Sequence, residues 1–169
     1  MNIILIGMPG CGKSTLGRQV AKQLNKKFVD MDEEIEKTEG RKISDIFEKE
    51  GEGYFRDTET FCLRNLLNND AVISTGGGIV VRDENIDLLK NSGAAVVFID
   101  RPLEKIMDDI KTSDRPLLKD GAERLKTLYA ARYEKYLLAS NIRVVNDKAR
   151  NDAIAEIINE VKTYENNGN

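Results

Sequence analysis

The sequence predicts an α/β fold around a parallel sheet, and three observations carry that prediction. Short apolar runs alternate with helical patterns along the whole chain. One run, Ala94-Ala95-Val96-Val97-Phe98-Ile99, is continuous rather than alternating, as a strand covered on both faces requires. A glycine-rich segment, Gly7 to Thr15, joins the first apolar run to a helical pattern.

In chain order, strands are expected at Asn2–Gly7, Lys27–Asp30, Ala71–Ser74, Ala94–Asp100 and Asn141–Val145. After the glycine-rich segment, Leu16, Val20 and Leu24 fall on one helical stripe. Helix-rich sequence fills 31–69, more than a simple crossover needs. A polar excursion, KTSDRPLLKDG at 111–121, separates two further helices. The last helix presents Ile154, Ile157, Ile158 and Val161 on one side, and the polar tail 165–169 is expected to fray. The 169 residues show no repeat or linker and read as one domain, 1–169.

One-third of the residues are charged, yet the net charge is only −3, which argues against a nucleic-acid binder with a basic surface. No apolar run approaches the length of a membrane span, and the first strand does not read as a signal peptide. Two cysteines are too few for a disulfide framework. With no histidine, a structural zinc site is not expected, and acid–base chemistry falls to Asp, Glu or Lys.

The segment GMPGCGKST fits the phosphate-binding pattern G-x-x-x-x-G-K-[ST]. Its glycines let backbone N–H groups wrap a polyphosphate. Lys13 can reach the β- and γ-phosphates, and the Ser14 hydroxyl can ligate Mg²⁺. The following helix adds the positive end of its dipole. Cys11 within the loop reads either as a somewhat reactive thiol or as a small filler.

Asp30 and Asp32 flank Met31 at the carboxyl end of the second strand, where ligands of open α/β sheets bind. They suit Mg²⁺ and a substrate hydroxyl, while Asp32 could equally cap the next helix. Asp30 stands in for the acidic residue missing from the end of the third strand. Gly76-Gly77-Gly78 after that strand offers bare backbone to a ligand. Arg132 shares a stripe with Leu125, Leu128, Tyr129 and Tyr136, so its guanidinium needs an anion or must snorkel to solvent. Arg56 sits in GYFRDTE with Glu59 at i+3 to orient it. Two such arginines point to an anionic second substrate. Arg115, in the polar excursion, suits a mobile cation closing over a γ-phosphate.

Taken in order, GMPGCGKST, FVDMD, GYFRDTE, STGGG, DRPLL and RYEKY resemble the shikimate kinase family over nearly the whole chain. The resemblance implies a three-layer α/β/α P-loop NTPase fold with a five-stranded parallel sheet of order 2-3-1-4-5. It implies transfer of the ATP γ-phosphate to the 3-hydroxyl of shikimate, on the route to chorismate and the aromatic amino acids. Catalysis would rest on Lys13, Asp32 and Arg115. ATP would be bound by Gly10, Cys11, Gly12, Lys13, Ser14, Thr15, Arg115 and Arg150, with Lys148 an alternative to Arg150. Asp32, Arg56, Gly77, Gly78 and Arg132 would bind shikimate, and Ser14 and Asp30 would hold Mg²⁺. A substrate-binding insertion at 31–69 and a lid at 111–121 are expected. The enzyme would be a cytoplasmic monomer acting on small molecules, without nucleic acid or membrane. One departure stands out. Family members often carry an arginine shortly before R-P-L-L, and here MDDIKTSD offers only Lys111. Rival readings are a kinase for another small hydroxylated acid such as gluconate, or a nucleotide-binding switch, which lacks an N-K-x-D motif here.

Overall fold

The five strands in this computed structural model, which describes residues 1–111 and 119–168, all run parallel in the order β2-β3-β1-β4-β5. They are β1 Ile3–Ile6, β2 Lys27–Asp30, β3 Ala71–Ser74, β4 Ala95–Asp100 and β5 Ile142–Val145. Every residue of β1, β3 and β4 is buried, which is why these strands read as unbroken apolar runs. Ile3 lies level with Val72 on one side and Ala95 on the other, so β1 sits at the centre of the sheet.

Seven helices are found among the described residues: α1 Lys13–Gln23, α2 Met31–Glu39, α3 Ile43–Leu66, α4 Asp83–Lys90, α5 Leu103–Lys111, α6 Lys119–Ala139 and α7 Arg150–Asn166. A short 3₁₀ turn covers Ile79–Val81. α1 packs with α7, and α4 packs with α6. The core gathers Leu16 and Val20 of α1, Tyr136 of α6 and Ile154, Ile157 and Val161 of α7 around the sheet, as the helical stripes predict.

Three expectations need correction. The strands at both ends of the predicted set are shorter: Asn2 lies outside β1 and uses its side chain to clamp the carbonyls of Leu66 and Leu67 and the N–H of Ala71. The polar excursion is also shorter than 111–121, because Lys111 closes α5 and Lys119–Gly121 open α6. The tail stays helical to Asn166, since the Tyr164 hydroxyl accepts from Asn141 Nδ2 at 3.0 Å and anchors the last turns. The fold places the ends of all five strands on one rim, with β1 between strands that connect to opposite sides. This is where an open α/β sheet forms its ligand crevice.

Candidate active site

β1 ends at Ile6, and the chain turns through Gly7, Gly10 and Gly12 with left-handed φ angles before entering α1. Gly12, at φ 99°, is the residue that precedes the helix, a conformation costly for any other side chain. The loop holds Lys13 tightly: Nζ donates to the carbonyls of Gly7 at 2.8 Å and Met8 at 2.9 Å, and the residue is 7 % exposed. Cys11 is fully buried with Sγ 3.7 Å from Lys13 Nζ. Its N–H donates to Met8 and its carbonyl accepts from Asn146 Nδ2. Cys11 is therefore a filler that faces the core, not an accessible thiol. Burial pushes the Cys62 thiol up to about 12.

Asp30 ends β2 and its two oxygens do different work. Oδ1 accepts from the N–H groups of Asp32 at 3.1 Å and Glu33 at 3.4 Å, capping α2. Oδ2 accepts from the Ser14 hydroxyl at 2.6 Å, and Ser14 Oγ lies 3.1 Å from Ser74 Oγ. The cap considered for Asp32 thus belongs to Asp30, and the Asp32 carboxylate is left for other work. Burial is the main cause that raises the Asp32 pKa from the usual aspartate value, and the neighbouring Asp30 charge adds to it. Lys13 and Arg56 both pull it back, so Asp32 lies within electrostatic reach of both cations.

Pro9, Gly10, Gly12, Lys13, Ser14, Thr15, Asp30, Asp32, Thr75, Gly76 and Gly77 line one cleft of about 530 Å³. The hydroxyl and carboxylate pair of Ser14 and Asp30 is an oxygen donor set that fits Mg²⁺, which keeps several waters and needs few protein ligands. The described residues hold no cluster of three or more His, Cys, Asp or Glu fit for a metal cage.

The glycine triplet has a spatial logic that the sequence could not show. None of the three has a left-handed φ, so conformation does not demand glycine. Space does. A Cβ on Gly76 would lie 2.9 Å from Asp32 Oδ1 and 3.1 Å from Glu59 Oε1. On Gly77 it would lie 2.6 Å from Pro9 Cδ, and on Gly78 2.6 Å from Arg56 Cζ. Each missing side chain admits a different functional group.

Arg56 is buried on α3, and Nη1 donates to Glu59 Oε2 at 2.8 Å, the i+3 partner expected. Glu59 is 1 % exposed and its other oxygen has no hydrogen-bond partner among the described residues. Desolvation raises the Glu59 pKa, while the charges of Arg56 and, more weakly, Arg132 lower it. Arg132, half-buried on α6, also reaches Tyr136. The Tyr136 hydroxyl donates to the Gly77 carbonyl at 2.6 Å, and burial drives its pKa well above the usual phenol range. Arg56 thus pairs directly with Glu59, while Arg132, on α6, adds only a weaker electrostatic influence on that carboxylate. Arg115 lies outside the described residues.

A second cavity, about 300 Å³, abuts the loop and is lined by Gly10, Cys11, Gly12, Thr15, Arg101, Asp109, Asn146, Lys148 and Arg150, with Leu16. Lys148 is tied to Glu156 at 2.9 Å, whereas no ion pair is found for the exposed Arg150 among the described residues. Sequence reasoning missed Arg101 and Asn146 here. Arg101 Nε donates to Asp109 and Nη1 to the Asn146 carbonyl, both at 2.8 Å. Their one sequence signal is position: each directly follows the carboxyl end of a strand, β4 or β5.

The fold and the glycine-rich loop, flanked by two cavities that share Gly10, Gly12 and Thr15, define a P-loop kinase. A family model for shikimate kinase matches residues 9–162. A shikimate kinase of Clostridium botulinum (strain Eklund 17B) is 51% identical over 156 residues, covering 92% of this chain and 93% of that protein. One from Clostridium beijerinckii is 47% identical over 161 residues, covering 95% and 92%. The solved shikimate kinase of Acinetobacter baumannii in complex with shikimate superposes with a TM-score of 0.86 at 32% identity, covering 99% of this chain and 94% of that one. A gluconokinase from Sinorhizobium meliloti shares the fold alone, with a TM-score of 0.59 at 15% identity. The chain belongs to the shikimate kinase family.

Proposed function

We propose the following division of labour for the phosphorylation of shikimate at its 3-hydroxyl. The backbone of Gly10 to Thr15 and the α1 N-terminus cradle the ATP phosphates. Lys13 leaves its loop carbonyls for the β/γ-oxygens and stabilises the charge that develops there. Ser14 and Asp30 hold Mg²⁺, which supplies electrostatic stabilisation to the phosphates when bound. Arg150 and Arg101 line the cavity that takes the nucleoside end.

Shikimate lies across the cleft from the phosphates. Arg56 and Arg132 hold its carboxylate, and Gly77 and Gly78 lend backbone N–H groups. Asp32 orients the hydroxyls and accepts the proton of the one phosphorylated. A carboxylate whose pKa is raised by burial is a better base than a free one, so the desolvation of Asp32 suits it to this task. The segment between α5 and α6, which carries Arg115 and lies outside the described residues, acts as the lid over the γ-phosphate. The chain works as a single domain and a monomer, in the cytoplasm, on small molecules without nucleic acid or membrane. No described helix is long and apolar enough to cross a membrane.

The observation that carries this reading is the position of Asp32, in one cleft with Lys13 and against the glycine turn that also admits Arg56. A coupled ADP-release assay across shikimate, quinate, gluconate and nucleoside monophosphates tests it. Shikimate should be the only acceptor with high kcat/KM. Comparable turnover of gluconate or a nucleotide would overturn the assignment.

A further inference from the structure

The two partners of Arg56 are unlike each other. Nη1 donates to Glu59 Oε2 at 2.8 Å, and that carboxylate is 1 % exposed. Nε and Nη2 both donate to a single oxygen of Glu52, Oε1, at 3.4 Å each, and the Glu52 side chain is 64 % exposed. One edge of the guanidinium is thus anchored inside the protein. The other edge, the Nε–Nη2 fork that suits bidentate binding of a carboxylate, is loosely covered by a carboxylate of the chain itself.

The backbone around Glu52 differs from the rest of α3. Gly51 has φ 83° and ψ 176°, which breaks α3 into two helices immediately before Glu52. A Cβ on Gly51 or Gly53 would meet nothing within 4 Å. Gly51 is therefore required by its left-handed φ, and neither glycine packs Glu52 into place.

We propose that Glu52 is an internal stand-in for the substrate's carboxylate and thereby sets the affinity for the acid. This rests on the reading of Arg56 as a carboxylate-binding residue. With Nη1 committed to Glu59, an incoming carboxylate takes the Nε–Nη2 fork and displaces Glu52, whose negative charge would otherwise remain beside it. Until then Glu52 covers the edge of the guanidinium that Glu59 leaves open. A neutral ligand neither needs the fork nor gains from its release.

The competing account is an ordinary i,i+4 Glu–Arg pair at the start of a helix, which holds Arg56 in its binding geometry. The two accounts differ in sign. Titration calorimetry of the full chain should compare wild type and Glu52→Gln with shikimate and with its neutral carboxamide. The stand-in account expects Glu52→Gln to bind shikimate about two- to fivefold tighter at low salt, the span of an exposed ion pair. That gain should shrink at high ionic strength, and carboxamide binding should stay unchanged. Weaker or unaltered shikimate binding by Glu52→Gln overturns the stand-in and makes Glu52 a positioning residue. Equal tightening toward the carboxamide overturns it as well. If wild type itself does not prefer the acid to the amide, the reading of Arg56 fails, whatever Glu52→Gln does. Should Glu52→Gln fold poorly, Glu52→Asp keeps the charge at the helix start but shortens its reach, and it should tighten shikimate binding in the same direction.

Discussion

Substituting alanine for each glycine of the triplet in turn should damage three different kinetic parameters. Gly78 is the most informative. Its φ of −90° and ψ of 7° suit alanine, so the backbone imposes no penalty. The whole cost falls on the methyl, which would lie 2.6 Å from Arg56 Cζ. Carbon atoms settle at about 3.5–4.0 Å, so the guanidinium must retreat by roughly 1 Å. It cannot retreat freely, because Nη1 is held by a buried glutamate at 2.8 Å. If the pair moves together, the cost is that of overpacking, about 1–3 kcal/mol. If the pair breaks, a buried charge is stranded at about 3–5 kcal/mol. Either way the fork that binds the carboxylate is misplaced. The KM for shikimate should rise about 10- to 100-fold, at about 1.4 kcal/mol per tenfold. The KM for ATP should stay within about twofold. Gly77→Ala instead presses on Pro9 of the phosphate loop and should raise the KM for ATP. Gly76→Ala presses on Asp32 and Glu59 and should lower kcat. A coupled ADP-release assay, varying each substrate at saturation of the other, separates the three. A Gly78→Ala enzyme with wild-type KM for shikimate would refute the reasoning, as would three variants sharing one kinetic signature.

Three further outcomes follow from the site. Lys13→Ala should lower kcat by far more than tenfold while the melting temperature holds within a few degrees; a variant keeping a tenth of wild-type kcat, a loss of about 1.4 kcal/mol, would contradict the role given to Lys13. Asp32→Asn should remove most activity and yet melt higher at pH 7. The folded pKa of Asp32 is raised, so its charge opposes folding above that pKa; the variant's advantage should shrink as pH falls through that raised pKa and be gone below the ordinary value of 3.8, which melting curves across pH would read. Arg132→Lys should raise the KM for shikimate at least about tenfold with little effect on ATP, because an ammonium cannot match a planar carboxylate; an unchanged KM with a lower melting temperature would make Arg132 a structural residue.

Local pattern determined much of this protein from sequence alone. Strand β1, the phosphate loop and α1 are legible because backbone conformation, glycine placement and the Lys-Ser pair are all set within a few neighbouring residues. The i+3 pairing of Arg56 with Glu59 is legible because a helix fixes that spacing. The buried strands announce themselves because both faces are covered. What tertiary structure decided depends on residues far apart in the chain. Asp30 rather than Asp32 caps α2, because β2 ends with its carboxylate between the helix start and Ser14 of α1. The glycine triplet is required by Asp32, Pro9 and Arg56, which arrive from three other segments, and no local propensity encodes their approach. Arg101 and Asn146 reach the cavity beside the phosphate loop only because parallel pairing of β4 and β5 brings both strand ends to the rim there. Lys148 and Arg150 both line that cavity, and Lys148 pairs there with Glu156, which the turn between β5 and α7 brings near. Periodicity and motif spacing specify conformation along the chain; which groups share a cavity is set by sheet order and packing, where the decisive distances run between residues that the sequence keeps apart.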